Sequence, residues 1–155
     1  MKFTEKYNDK TYILSQDKRQ IVSLKDHGES RKYVGRNPGK LELSVFRVDN
    51  GICKSSKPGD RKCDYAIYTG NDNLYLIELK GADYSTAIDQ LNNTIKELLS
   101  EDIGDLKAVF GRVVLSKTNV PQTLKTKEKK LMTLLKKKYK GSLLKKTKEM
   151  TENLI

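Results

Sequence analysis

The stretch KCDYAIYTGNDNLYLIELKG, residues 62–81, decides the fold. Two runs rich in β-branched and aromatic residues, DYAIYT and LYLIELK, flank the turn-forming cluster GNDN, which is the pattern of a β-hairpin. Its ends carry charge where a buried sheet does not want it: Asp64 at the entry, Glu78 and Lys80 at the exit. Residues two apart on a strand share a face, so Glu78 and Lys80 are expected to point one way and Leu79 the other. Register decides where Asp64 stands. A four-residue turn over 70–73 pairs Thr69 with Leu74 and sets Asp64 opposite Leu79, on the wrong face. A three- or five-residue turn, or a bulge, brings it opposite Glu78 or Lys80 and onto their face. The height of Asp64 is therefore set, and its side is left open.

Working outward, LELSVFRV (41–48) alternates and predicts a strand that ends at DNG, with Ile52 and Cys53 expected to continue the meander. KSSKPGDRK (54–62) reads as a loop. Beyond Gly81, the segment 83–102 sets Ala87, Ile88, Leu91, Ile95, Leu98 and Leu99 on the stripe of an amphipathic helix. LKAVFGRVVLS (106–116) predicts a strand buried on both faces. After Pro121, residues 123–141 predict a basic helix with Leu124, Leu131, Leu134 and Leu135 inward and Gly141 as its stop. Upstream, TYILSQDKRQIVSLKD (11–26) is read as a short strand and a helix, closed by the turn NPGK at 37–40. The order implies an α/β layer with a mixed sheet. A single domain over 1–155 is expected, with its core at about 41–116 and a basic helical C-terminal segment at about 122–155.

Charge is unevenly spread. The net charge is +11, yet residues 1–120 hold 20 Lys/Arg against 17 Asp/Glu, while residues 121–155 hold 11 against three. A nearly balanced domain thus carries a basic C-terminal segment, the footprint of a polyanionic partner. The alternative is a solvated lysine face. Lys129, Lys130, Lys136, Lys137, Lys138 and Lys140 are the candidate contacts. They are point charges that hold phosphate without reading base edges, so backbone binding tolerant of sequence is expected. Nucleic acid is the expected partner, DNA ahead of RNA. Contact with anionic lipid is disfavoured, since the helix lacks Trp and Phe anchors. No apolar run approaches the roughly 20 residues that span a bilayer, and the N-terminus lacks a secretory apolar region, so a cytoplasmic location is expected.

Other chemistries are poorly supplied. Cys53, Cys63 and His27 fall short of four zinc ligands, no CxxC exists, and a Cys53–Cys63 disulfide is disfavoured in a reducing cytosol. P-loop, dinucleotide, zincin and nucleophile-elbow motifs are absent. Tyr65, Tyr68 and Tyr75 could stack bases of a single strand, although strand tyrosines more commonly pack half-buried.

The three charges have two readings. One is a salt-bridged Glu–Lys pair at a wet strand end, and a second Glu-x-Lys, at Glu128 and Lys130, shows that the triplet alone carries little. The other is a site. Two carboxylates on rigid strands suit magnesium or manganese, and a lysine beside them can hold a water or stabilise a phosphorane-like transition state.

Asp64, thirteen intervening residues, then Glu78-Leu79-Lys80 at a strand end followed by a helix resembles the PD-(D/E)XK nuclease superfamily, over about Leu41 to Ser116. The resemblance extends to small uncharacterised bacterial and phage-type proteins. It implies a restriction-endonuclease-like α-β-β-β-α-β core with a mixed sheet flanked by helices, and a Mg²⁺- or Mn²⁺-dependent hydrolase of phosphodiester bonds, a DNA endonuclease. Carried over residue by residue, it gives Asp64, Glu78 and the Leu79 carbonyl to the metal and Lys80 to the water. Cys63 stands where the motif's name has proline. Gln90 matches the glutamine of the Gln-x-x-x-Tyr helix motif found in some members, but Thr94 replaces the tyrosine. Glu29 and Glu42 are candidates for the acid that many members supply from a first helix. A homodimer fits, because duplex cleavage needs two sites. The rivals are a non-catalytic nucleic-acid-binding module of the same fold and a resolvase selective for branched DNA.

Overall fold

Strand pairing in the computed structural model follows the apolar alternation of the hairpin outward in both directions. The structure describes residues 1–25, 30–54, 59–80, 83–99, 103–117 and 124–155, with Lys80 described by its backbone alone. Its elements in chain order are α1 (Phe3–Lys6), β1 (Ile13–Asp17), β2 (Ile21–Lys25), β3 (Lys32–Arg36), β4 (Leu43–Arg47), β5 (Tyr65–Thr69), β6 (Asn73–Lys80), α2 (Tyr84–Leu98), β7 (Ala108–Leu115), α3 (Lys125–Tyr139), β8 (Leu143–Thr147) and β9 (Glu149–Asn153). Six strands form a mixed sheet in the order β1-β4-β5-β6-β7-β8, and β2-β3-β9 form a second sheet. The first four strands of the large sheet pair antiparallel, and β6, β7 and β8 run parallel. The α/β class with a mixed sheet is thus present.

Each face of the large sheet has its own core. Ala66, Tyr68, Leu74, Leu76 and Val113 pack with the α2 stripe (Ala87, Ile88, Leu91, Ile95, Leu98) and with Leu131 and Leu135 of α3. Tyr65, Ile67, Tyr75, Ile77, Leu79, Phe110 and Val114 pack with Val22, Leu24, Tyr33 and Met150 of the second sheet. Among the described residues, helices therefore flank one face, and a sheet covers the other. Of the short strand and helix expected within 11–26, the strand is β1, and a second strand, β2, stands in place of the helix. Ile21, Val22 and Leu24 could sit on a helical face, but Val22 and Leu24 are buried and their neighbours exposed, which is a strand's alternation. The one described helix before β4 is the single turn α1, whose Phe3 is wholly buried against Phe46 and Tyr68. The continuation of the meander at Cys53 reduces to an isolated bridge with Asp49. The C-terminal segment is not helical throughout. After α3 it supplies β8 to the large sheet and β9 to the small one. Tyr65, Tyr68 and Tyr75 are all buried, so they are core residues and not a platform for bases.

α2 starts where Asp83 accepts hydrogen bonds from the Thr86 amide and hydroxyl, a side-chain cap. α3 stops differently from expectation. Lys140, at φ 55°, is the left-handed residue, and the Gly141 N–H donates back to the Leu135 carbonyl at 2.8 Å. Glycine is required at 141 because a Cβ there would stand 1.7 Å from the Val109 carbonyl oxygen.

The second sheet is tied on by charge as well as by apolar packing. Arg112 lies in the middle of β7 and is only 4% exposed. Its Nε donates to Glu152 Oε2 at 2.8 Å, and its Nη1 donates to the Gly111 and Ser142 carbonyls. The Tyr33 hydroxyl donates to the same Glu152 oxygen at 2.7 Å. The guanidinium also lies 5.1 Å from the Phe110 ring centroid. Removing one partner of such a pair leaves a buried charge uncompensated. Glu152→Ala is expected to cost about 3–5 kcal/mol in urea unfolding, whereas Arg112→Met combined with Glu152→Leu should recover most of that loss. Gly141→Ala should cost about 3 kcal/mol or more, since backbone must move to admit the methyl group.

Candidate functional site

The turn of the β5–β6 hairpin has three residues, Gly70, Asn71 and Asp72. Asp72 adopts φ 69° and donates its N–H to the Thr69 carbonyl at 2.9 Å. A three-residue loop ending in a left-handed residue is a common hairpin closure. Asn73 then belongs to β6, and its N–H donates to Thr69 Oγ1 at 3.1 Å. Tyr65 consequently pairs with Ile77. Continued by one residue, that register sets Asp64 opposite Glu78. The four-residue turn expected over 70–73 is one residue too long.

Each carboxylate accepts a backbone N–H from the opposite segment. The Asp64 N–H donates to Glu78 Oε1 at 3.1 Å, and the Leu79 N–H donates to Asp64 Oδ2 at 2.9 Å. The Asp64 carbonyl accepts the Val48 N–H at 2.9 Å. Asp64 is therefore tied by its amide, its carbonyl and its side chain to β4 and β6. Glu78 is 1% exposed and Asp64 partly exposed, so the pair opens to solvent from the Asp64 side. By strand alternation they share the face of Ala66 and Leu76, the face covered by α2. Lys80 is the last residue of β6, its backbone paired with Leu115.

α2 supports the entry to β5. Thr94 Oγ1 accepts the Cys63 N–H at 2.8 Å and donates to the Gln90 carbonyl at 2.7 Å. Gln90 Nε2 donates to the Lys62 carbonyl at 3.1 Å. Gln90 is 5% exposed, and its Oε1 is buried with no hydrogen-bond partner among the described residues. Gln90 thus stands beside the strand that carries Asp64, two residues upstream of it. Thr94 is a residue that the sequence reading passed over as the missing tyrosine. Its signal was the spacing of four from Gln90, which puts both on one helix face. Cys63 is fully buried, and burial pushes its thiol well above the usual range, with the charges of Glu78 and Asp64 adding to the rise against the Thr94 hydrogen bond. Both cysteines are free and buried, so neither is a reactive nucleophile.

The other candidates are scattered. Glu42 is exposed and immediately precedes Leu43, which pairs with Thr69 at the turn end of the hairpin. Continuing that pairing sets Glu42 level with Gly70, six strand steps or about 20 Å from Asp64, so Glu42 stands apart from the carboxylate pair. Glu29 lies outside the described residues. Lys129, Lys130, Lys136, Lys137, Lys138 and Lys140 are all exposed, but α3 runs away from the site. Its first turns meet the start of α2, where Lys127 Nζ lies 2.7 Å from Asp89 Oδ1. Its last turn lies against Val109, at the far end of β7. Fifteen helical residues span about 22 Å, so Lys136, Lys137, Lys138 and Lys140 stand at the end remote from Asp64 and Glu78. Lys145 is nearer. It pairs with Val113, which pairs with Glu78, two strand spacings or about 10 Å away. Its Nζ bonds Glu128 Oε2 at 2.5 Å and lies 5.0 Å from the Tyr84 ring centroid.

Asp64 and Glu78 are the carboxylates that could hold a cation. A hard divalent ion accepts oxygen donors of this kind. Among the described residues no group of three His, Cys, Asp or Glu side chains gathers for a metal. Two protein carboxylates match magnesium, which keeps several of its waters, better than they match a fully protein-ligated ion. No helix among the described residues is long and apolar enough to cross a membrane. Comparison of the chain with protein-family models, curated proteins and solved structures gave no match.

Replacing Thr94 by valine leaves the buried Cys63 N–H without its acceptor at nearly constant volume. The expected cost is about 1–3 kcal/mol, with faster hydrogen exchange of the Cys63 and Asp64 amides than of those in the middle of β5.

Proposed function

We propose that this protein is a metal-dependent nuclease of the PD-(D/E)XK type. One observation carries the reading: the three-residue turn sets Asp64 beside Glu78 at the end of a central strand, two residues before Lys80. The succession of β4, β5, β6, α2 and β7, with those four strands adjacent in the sheet, supports it, being the β-β-β-α-β part of the core that the resemblance implies.

In this reading Asp64, Glu78 and the Leu79 carbonyl hold Mg²⁺ or Mn²⁺, which would neutralise charge on the scissile phosphate and acidify a bound water. Asp64 is the adjustable ligand, being partly exposed, while Glu78 is held rigidly in the core. Lys80 orients the attacking water and stabilises the negative charge that develops on phosphate oxygens. Gln90 is buried and acts on the site only by position, its amide holding the Lys62 carbonyl two residues before Asp64. Phosphates flanking the cut strand would meet Lys125 and Lys129 on the first turns of α3, and those farther along would meet Lys136 to Lys140. Contacts of this kind fix position and make affinity salt-dependent without reading sequence. DNA is the preferred substrate in this reading, in a homodimer where both strands are cut.

Cleavage of linear, branched and single-stranded DNA and of RNA in Mg²⁺ or Mn²⁺ tests it. Lys80→Ala is expected to lose about 10²-fold or more in rate with salt-sensitive binding retained. Absence of cutting by the wild type, with binding unchanged, would favour the non-catalytic module. Metal alone gives a second readout. At a hundred times its Kd the ion should stabilise the wild type by about 2.7 kcal/mol, a gain that Asp64→Asn and Glu78→Gln should both lose.

A further inference from the structure

β8 is an outer strand of the large sheet. It pairs with β7 on one side, and among the described residues no strand lies on the other. An open edge offers unpaired N–H and C=O groups to any extended chain, and proteins usually guard it with charge. Here the guard is incomplete. Lys145 is turned inward onto Glu128 and Tyr84, leaving Lys146 as the one outward lysine of the strand. Alongside the edge runs a groove of about 400 Å³ between α3 and the start of β8, lined by Lys129, Met132, Lys136, Leu143 and Leu144 among others. Met132 is 45% exposed and Leu144 46%, two large apolar side chains left at the surface on neighbouring elements that border this groove.

We infer that the β8 edge and the Met132–Leu144 groove dock an extended acidic segment of a partner protein by strand addition. The open edge supplies main-chain hydrogen bonds. Alternate side chains of an added strand would point to opposite faces of the sheet. Some would fall against Met132 on α3, the others beside Leu144, which alternates with the inward Leu143. Lys129, Lys136 and Lys146 border these apolar positions and select acidic residues between them. Residues 121–155 hold 11 Lys/Arg against three Asp/Glu, so like charge opposes a second copy of this chain along the same edge. A nucleic-acid backbone would satisfy the lysines, but it leaves Met132 and Leu144 uncovered and the strand edge unpaired.

The probe is a synthetic peptide of about nine residues alternating Glu or Asp with Val or Leu, titrated into the full chain and followed by amide NMR and hydrogen exchange. Saturable binding is expected, with shifts and slowed exchange confined to Ser142–Thr147 and the facing turns of α3. The same peptide N-methylated on its pairing edge should bind at least about tenfold more weakly, as should the wild-type peptide to Leu144→Glu or to Met132→Glu. These two substitutions lie on different elements and at exposed sites. Equal binding of the N-methylated peptide would overturn strand addition, as would shifts that map elsewhere or no saturable binding. A concentration-dependent dimer abolished by Leu144→Glu would give the edge to a second copy instead. Displacement of the peptide by a short DNA duplex that shifts the same amides would give it to nucleic acid.

Discussion

The register between β5 and β6 is the constraint on which the rest depends. A one-residue slip in an antiparallel pair exchanges the two faces of a strand. With Tyr65 opposite Ile77, the even-numbered residues of both strands face α2 and the odd-numbered ones face the second sheet. Asp64, Ala66 and Tyr68 line up with Glu78, Leu76 and Leu74. A slip of β6 by one residue would drive Tyr75 against the helices, strand Glu78 in the second core, and separate it from Asp64. A turn of three residues, closed by a left-handed aspartate, thereby determines both cores and the candidate site together.

The two faces are sealed by different physics. On the helical face the sheet meets apolar stripes, and its polar groups stay at the strand ends, where Thr94 and Gln90 satisfy the backbone of residues 62–63. On the other face a buried guanidinium, a carboxylate and a phenol join β7, β9 and β3. Burial also pushes the Tyr33 phenol far above its usual range, with the negative Glu152 beside it adding to the rise. The rise favours the protonated phenol, the form that donates to Glu152. Such a link adds little net stability against an apolar replacement, but it admits one alignment of the second sheet, which apolar contacts alone do not specify.

Much of this was legible in the residues. The alternation of 65–69 and 74–79, the stripe of α2 and the apolar run of β7 each identify their element, because each buries one face or two against a single neighbour. The turn was not legible, because Gly-Asn-Asp-Asn contains four turn formers and only the backbone of Asp72 shows which three are used. β2 was misread because Ile21, Val22 and Leu24 fit a helix as well as a strand, and β9, which completes its sheet beside β3, lies far along the chain. A separation of 40 residues likewise hid Glu152 as the partner of Arg112. For the candidate site, the strand ends fixed the height of Asp64, while its face and the support from Thr94 followed from tertiary pairing. Glu42 and the end of α3 were misplaced for one reason: chemistry-bearing residue types were visible, and their end of the sheet was not.

The parallel pairing of β3 with β9 has a consequence for synthesis. Tyr33 and Glu152 are 119 residues apart, so at 5–20 residues per second a ribosome holds β2 and β3 without their third strand for roughly 6–24 s. Throughout that interval Arg112, once made, has no counter-charge, and the apolar faces of Val22, Leu24 and Tyr33 lack the cover of Met150 and Leu154. Until β9 is made, any pairing of β2 with β3 leaves an unpaired strand edge and an uncovered apolar face, features that favour aggregation. How fast this protein is translated should bear on its yield as strongly as how stable it finally becomes.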